Sequence, residues 1–76
     1  MRVMSETVNA VGITLNGEAR EVPAGSSVAD LLAAIGLDGR KVAVERNEEI
    51  VPRSAYGTTA LSVGDAIEIV HFIGGG

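Results

Sequence analysis

Apolar and polar residues alternate along the stretch "VGITLNGEAREV", which begins at Val11. Alternation with a period of two is typical of a strand with one buried face, and it places Ile13 and Leu15 on that face. Asn16-Gly17 then interrupts the pattern, and this dipeptide is the strongest short signal for a tight hairpin turn. The stretch therefore predicts two antiparallel strands joined at Asn16-Gly17.

Two later stretches alternate in the same way. "KVAVERN" predicts a third strand with Val42 and Val44 facing inward. "AIEIVHFI" predicts a last strand with Ile67 and Ile69 facing inward. The opposite face of this last strand carries Glu68, Val70 and Phe72.

The stretch between these two strands, "EEIVPRSAYGTTALSVGD", is interrupted by one proline and two glycines. Both residue types break regular structure. The stretch therefore predicts only a short edge strand near Ile50 and Val51 and one turn of helix near Ala55.

Helical spacing replaces alternation in "SSVADLLAAIGL". The large apolar residues fall at positions i, i+3, i+4 and i+7, which place them on one face of a helix about 12 Å long. These residues are Val28, Leu31, Leu32 and Ile35. Ser27 and Asp30 have the spacing of a capping box at the start of the helix, and Gly36 supplies the left-handed residue that ends it.

The predicted order is two strands, a helix, a strand, a short strand and a final strand. The apolar face of the sheet and the apolar face of the single helix must cover each other. The crossover that runs through the helix is expected to be right-handed. These features predict an α+β fold of the β-grasp, or ubiquitin-like, type, with a mixed four- to five-stranded sheet packed on one main helix. The last strand is the most hydrophobic and is expected at the centre of the sheet.

Composition limits the classes of function. The 76 residues suffice for one domain, and its core must be aliphatic because Tyr56 and Phe72 are the only aromatic residues. The absence of cysteine excludes disulfides, a thiolate nucleophile and a cysteine metal site, and it suits a reducing cytoplasm. The net charge of −4, with Lys and Arg scattered along the chain, argues against nucleic-acid binding.

The first ten residues, "MRVMSETVNA", hold one arginine and no long apolar run, so they fit neither a secretory signal nor a membrane span. Residues 1–10 are expected to form a flexible extension and residues 11–73 the folded domain. Residues 74–76 are expected to form a flexible glycine tail that leaves the last strand directly.

Gly74, Gly75 and Gly76 close the sequence immediately after a hydrophobic strand. Glycine lacks Cβ, so such a tail enters a channel too narrow for other residues. A carboxylate is a poor electrophile, but adenylation by ATP gives it a good leaving group for attack by sulfur, nitrogen or oxygen. The tail therefore predicts a carboxylate that a partner enzyme activates, and the plainer interpretation is a frayed end.

Five segments carry a family resemblance, and together they cover residues 13–76. They are "ITLNGEAREVP", "SVADLLAAIGL", "VAVERNEEIVPRS", "VGD" and "IEIVHFIGGG". In combination they resemble the ThiS family, the sulfur carriers of thiamine thiazole biosynthesis. The resemblance implies a protein co-substrate that is not an enzyme and that holds no bound cofactor.

For Gly76 the resemblance implies a cycle of sulfur loading. A ThiF-like adenylating enzyme is expected to use ATP to join AMP to the Gly76 carboxylate. A cysteine desulfurase relay then supplies the sulfur that converts it to a thiocarboxylate, a covalent 1-thioglycine, and a ThiG-like thiazole synthase accepts that sulfur. The expected location is the cytoplasm, with no nucleic-acid or membrane partner.

Two other functions share these features. A related carrier that feeds molybdopterin synthase has the same fold and a terminal diglycine. A ubiquitin-like modifier would instead be joined through Gly76 to lysines of other proteins. The "VHFIGGG" ending and the "VERNEEIVPRS" block resemble the thiamine branch more closely.

The exposed face of the last strand is expected to bind the partner enzymes. Apolar side chains grouped on a sheet surface often mark a partner site, and Val70 and Phe72 share this face. The predicted interface consists of Ala43, Val70, Phe72 and Ile73.

Other polar residues receive simpler interpretations. His71, the single histidine, has no metal partner or catalytic dyad and is interpreted as a residue at the base of the tail. The carboxylate pairs Glu48-Glu49 and Asp65-Glu68 are expected to be solvated surface.

Overall fold

The computed structural model describes residues 9–72, and these begin with the predicted hairpin. Strands β1 (Ala10–Leu15) and β2 (Glu18–Pro23) pair antiparallel. Asn16 and Gly17 join them with φ values of 51° and 88°, and two positive values in succession define the turn whose twist matches a hairpin. The hairpin prediction is confirmed, with β1 beginning one residue before Val11.

Helix α1 (Val28–Ala34) begins and ends at the predicted signals. The Ser27 hydroxyl accepts from the Asp30 backbone N–H at 3.1 Å, and an Asp30 carboxylate oxygen accepts from the Ser27 backbone N–H at 2.9 Å. This reciprocal capping box satisfies two backbone donors that the first turn would otherwise leave unpaired. Gly36, at φ 79°, takes the left-handed conformation just after the helix.

The remaining strands are β3 (Val42–Arg46), β4 (Glu49–Val51) and β5 (Ala66–His71), and short 3₁₀ helices lie at Gly39–Lys41 and Arg53–Ala55. The five strands form one sheet in the order β2-β1-β5-β3-β4. β5 runs parallel to β1 and antiparallel to β3, so the sheet is mixed and the last strand is central, as predicted.

The core lies between α1 and the inner face of the sheet. Of the eight inward-facing residues predicted on the helix, β3 and β5, six are buried: Val28, Leu31, Leu32, Val42, Val44 and Ile67. Ile35 and Ile69 are only partly buried and pack against its edge. The core also includes Tyr56 and Leu61, which lie in the irregular segment between β4 and β5. The Tyr56 hydroxyl donates a hydrogen bond to the Val42 carbonyl at 3.3 Å.

Asp65 is buried, so its interpretation as solvated surface is wrong. Its side chain lies just before β5 and accepts from Arg46 Nε at 2.9 Å, from Asn47 Nδ2 at 3.0 Å and from the Ser62 backbone N–H at 2.8 Å. These partners stabilise a buried carboxylate that would otherwise be costly. The contacts tie the end of β3 to the start of β5.

The stability of the domain is expected to fall in acid because of Asp65. Burial alone would raise the pKa of Asp65, but the hydrogen bonds from Arg46, Ser62 and Asn47 hold the pKa of this carboxyl below its usual range. A lowered folded-state pKa contributes stability above the unfolded value of about 3.9, and this contribution is lost as the pH falls through the folded value.

The variant Asp65→Asn isolates this contribution. We expect it to be less stable than wild type by about 1–3 kcal/mol at pH 7, because a charged acceptor is lost from a buried network. The difference should begin to shrink as the pH falls below the unfolded pKa of about 3.9, and it should be lost below the lower folded pKa, where the native carboxyl is itself protonated. Urea unfolding at both pH values measures it, and an unchanged difference at low pH would contradict the role given to this carboxylate.

Candidate functional site

The base of the tail is held in the sheet as far as the structure describes it. The Phe72 backbone N–H donates to the Lys41 carbonyl at 2.9 Å, one residue after β5 ends. Ile73, Gly74, Gly75 and Gly76 lie outside the described residues, so the structure does not test their predicted roles. The chain enters this segment directly from the central strand of the sheet.

Three residues of the predicted interface lie together on the outer face of the sheet, the face opposite α1. Val70 of β5 pairs directly with Ala43 of β3, and opposite residues of an antiparallel pair share a face. Phe72 follows Val70 by two positions and therefore shares that face. Val70 and Phe72 are 62% and 53% exposed, which is unusual for large apolar side chains placed side by side. We call Ala43, Val70 and Phe72 the outer patch.

A shallow groove of about 200 Å³ adjoins the outer patch. Its walls include Ala43, Ile50, Pro52, Arg53, Tyr56 and Phe72. Ile50, on the short strand β4, is 66% exposed and extends the apolar surface beyond the outer patch. The sequence pattern places Ile50 on an edge strand but gives no sign that it lines a groove together with Phe72.

Two carboxylates lie on the same face, next to the outer patch on the side away from the tail. Glu45 of β3 pairs directly with Glu68 of β5, two residues along each strand from the apolar Ala43–Val70 pair. Like charges directly opposite each other across two strands repel and destabilise the pair. On β3 and β5 the outer face is therefore apolar next to the tail and acidic further from it.

His71 lies on β5 opposite Val42 and is exposed, which agrees with a position at the base of the tail. Within residues 9–72 no group of three or more His, Asp or Glu side chains is placed to hold a metal ion. In the same part of the chain, no helix has the length and hydrophobicity needed to cross a membrane.

Comparison with known proteins gives a family match whose range includes the outer patch and the tail. The ThiS family model matches residues 13–76. A thiazole synthase of Paramagnetospirillum magneticum is 55% identical over 64 residues, which cover 84% of this chain and 20% of that protein. The sulfur carrier protein ThiS of Bacillus subtilis is 48% identical over 50 residues, which cover 66% of this chain and 76% of that protein.

Solved structures agree with this relationship. The crystal structure of the thiamine biosynthesis protein ThiS from Geobacter metallireducens superposes with a TM-score of 0.75 at 35% identity, covering 87% of this chain and all of that chain. This match confirms the predicted β-grasp architecture. The chain spans only about a fifth of the length of the thiazole synthases that it matches. Since the family model covers more than half of the chain and coincides with the range of the five resembling segments, the chain belongs to the ThiS family.

Proposed function

We propose that this chain is the sulfur carrier for thiazole formation in thiamine biosynthesis, acting as a protein co-substrate and not as an enzyme. The observation that carries the proposal is the ThiS family match, which continues through Gly76. The identity of 48% to the Bacillus subtilis sulfur carrier protein, of which this chain matches 76%, supports it. A cytoplasmic location suits such a carrier.

The proposed chemistry takes place on the carboxylate of Gly76. One carboxylate oxygen attacks the α-phosphate of ATP in a ThiF-like enzyme, releases pyrophosphate and forms an acyl adenylate. The terminal sulfur of a persulfide from a cysteine desulfurase relay then attacks the carbonyl carbon, and AMP leaves with that oxygen. A second thiol of the relay attacks the relay's own sulfur in this acyl disulfide, breaks the S–S bond that came from the persulfide and forms a disulfide with the relay, which leaves the thiocarboxylate on Gly76.

The proposed sulfur acceptor is a ThiG-like thiazole synthase. A segment 55% identical to this chain forms part of a protein named thiazole synthase, which favours the synthase as a partner. ATP is used by the activating enzyme, so the carrier itself holds no cofactor.

The outer patch, together with Ile73, is the proposed docking surface for these enzymes. An interface typically has an apolar centre and a polar rim, and the outer patch beside Glu45 and Glu68 offers both. A partner surface that places a basic side chain next to apolar residues would bind the patch and relieve the repulsion between the two carboxylates. The tail beyond Phe72 would then enter the partner from a fixed base.

The variant Phe72→Ala is expected to bind the activating enzyme at least about tenfold more weakly, because exposed aromatics at the centre of an interface are frequent hot spots. The fold should persist, since the Phe72 side chain is 53% exposed and its backbone bond to Lys41 does not need the ring. The measurement is the KM for the carrier in the adenylation reaction.

Val63→Ala is the matched control for this variant. Val63 is an equally apolar side chain, 75% exposed, that lies in the turn before β5 and outside the outer patch. Its removal should leave the KM unchanged. Equal KM values for Phe72→Ala and wild type would show that the Phe72 ring is not part of the docking surface.

A reconstituted thiazole assay tests the proposed function. Thiazole formation by the synthase should require this chain, the adenylating enzyme, ATP and a sulfur source together. If the chain supplies sulfur to molybdopterin synthase and not to thiazole synthase, it belongs to the molybdopterin branch of carriers. Attachment to lysines of other proteins, without sulfur transfer, would make it a modifier.

A further inference from the structure

Asn16, in the hairpin turn, is bonded to the strand that carries the tail. Its backbone N–H donates to the Ile67 carbonyl at 2.8 Å. Its side-chain Oδ1 accepts from the Ile69 backbone N–H at 2.8 Å, and its Nδ2 lies 3.4 Å from the Ile69 carbonyl oxygen. The side-chain amide therefore takes the place that the next peptide of β1 would occupy beside β5.

The position matters because β5 extends beyond β1. The two strands pair in parallel at Thr14–Ala66 and Leu15–Ile67, and β1 ends there. On the other side, β3 continues to pair with β5 as far as Val42–His71. The tail-bearing end of β5 is thus flanked by a strand on one side and, at Ile69, by the Asn16 side chain on the other.

A second asparagine also uses its backbone and its side chain to bond β5, at the opposite end of the strand. Asn47 follows β3, has φ 53° against 51° for Asn16, and donates its backbone N–H to the Ala66 carbonyl at 2.8 Å. Its Oδ1 accepts from the Ala66 backbone N–H at 2.9 Å, and its Nδ2 donates to Asp65. The two asparagines have the same chemistry and similar backbones, but only Asn16 lies near the tail.

We propose that Asn16 is a positioning residue that fixes the end of β5 and so directs the tail into the activating enzyme. The inference rests on the proposed function, because it assigns Asn16 a part in presenting Gly76. Asparagine suits the position because it tolerates a positive φ and offers both an acceptor and a donor on one short side chain. If the end of β5 is already held in place, less conformational entropy is lost when the tail binds the enzyme.

The test compares Asn16→Gly with Asn47→Gly, which lose the same side chain at opposite ends of β5. Glycine accepts the positive φ at both positions, so the turns are kept while the side-chain bonds are lost. Amide hydrogen exchange in the free carrier should become about 2- to 10-fold faster at Ile69 in Asn16→Gly, the range expected for one lost hydrogen bond. In Asn47→Gly the Ile69 amide should exchange as in wild type.

Adenylation kinetics supply the functional measurement, at a temperature where both variants are folded. We expect kcat/KM to fall about 2- to 10-fold in Asn16→Gly and to stay unchanged in Asn47→Gly, even where both lower the melting temperature equally. Asn16→Asp keeps the acceptor for the Ile69 N–H but replaces Nδ2, which faces the Ile69 carbonyl, with an oxygen, so it should recover only part of the loss.

Two results would overturn the inference: Ile69 exchange that is equal in Asn16→Gly and wild type, or kinetic losses that are equal in the two glycine variants. Failure of the proposed function is a separate result. In that case wild type itself is not adenylated, while the exchange data still show whether Asn16 holds the end of β5.

Discussion

Deletion of Gly76 is expected to abolish sulfur loading while leaving the domain folded. The proposed reaction needs an unhindered carboxylate at the end of a slender tail, and the core found within residues 9–72 does not depend on Gly76. Adding one residue after Gly76 should have the same effect, because it moves the carboxylate away from the reacting position. Thiazole formation in the reconstituted system measures the loss, and an unchanged melting temperature shows that the fold is intact.

Gly75→Ala is a finer form of the same test. It adds one methyl group and removes φ freedom without changing the terminal carboxylate, so loading should become slow or undetectable. Gly57→Ala is the matched control, since a Cβ at Gly57 meets no atom within 4 Å and its φ is not in the left-handed region. If the Gly75 and Gly57 variants load equally fast, the tail does not enter a narrow channel.

Leu31→Ala is expected to destabilise the domain by about 2–5 kcal/mol. Leu31 is 1% exposed and lies in the middle of α1, where its side chain fills the space between the helix and the sheet. Such a loss is a large part of the stability of a small domain and lowers the melting temperature by roughly 10 °C or more.

Ile50→Ala is the control for this substitution. Ile50 is 66% exposed, so its truncation should change the stability by less than about 0.5 kcal/mol. Thermal unfolding followed by circular dichroism compares the two variants. A melting temperature of Leu31→Ala equal to that of wild type would mean that α1 does not cover the sheet as described.

The parts of the fold that the sequence predicts correctly depend on local signals. The hairpin follows from Asn16-Gly17, whose conformational preferences act within the turn itself. The helix start follows from Ser27 and Asp30, which are three residues apart and bond each other's backbone. The central place of β5 is the one expected for the most hydrophobic strand, and its inner residues Ile67 and Ile69 are shielded there while Val70 on the outer face stays exposed.

The contacts that the sequence does not reveal join residues far apart in the chain. Asn16 and Ile69 are separated by 53 positions, and Arg46 and Asp65 by 19. No periodicity or turn signal connects such pairs, so Asp65 resembles a surface carboxylate until the sheet brings Arg46 beside it. The same reason hides the groove that Ile50 and Phe72 both line.

The sequence predicts only part of the candidate site. The sequence pattern places Val70 and Phe72 on one face, and the strand register pairs Ala43, which is also predicted for the interface, with Val70 on that face. The role proposed for Gly76 rests on the residue types and the family match, since residues 73–76 lie outside those that the structure describes. Docking through the outer patch stays a prediction.

The intact mass of the wild-type chain is the most direct measurement of sulfur carriage. After incubation with ATP, a ThiF-like adenylating enzyme and a persulfide source, the mass should rise by the difference between one sulfur and one oxygen atom. It should return to the starting value once a thiazole synthase and its other substrates are added. A mass that never changes under conditions in which thiazole still forms at the normal rate would show that the sulfur does not travel on this chain.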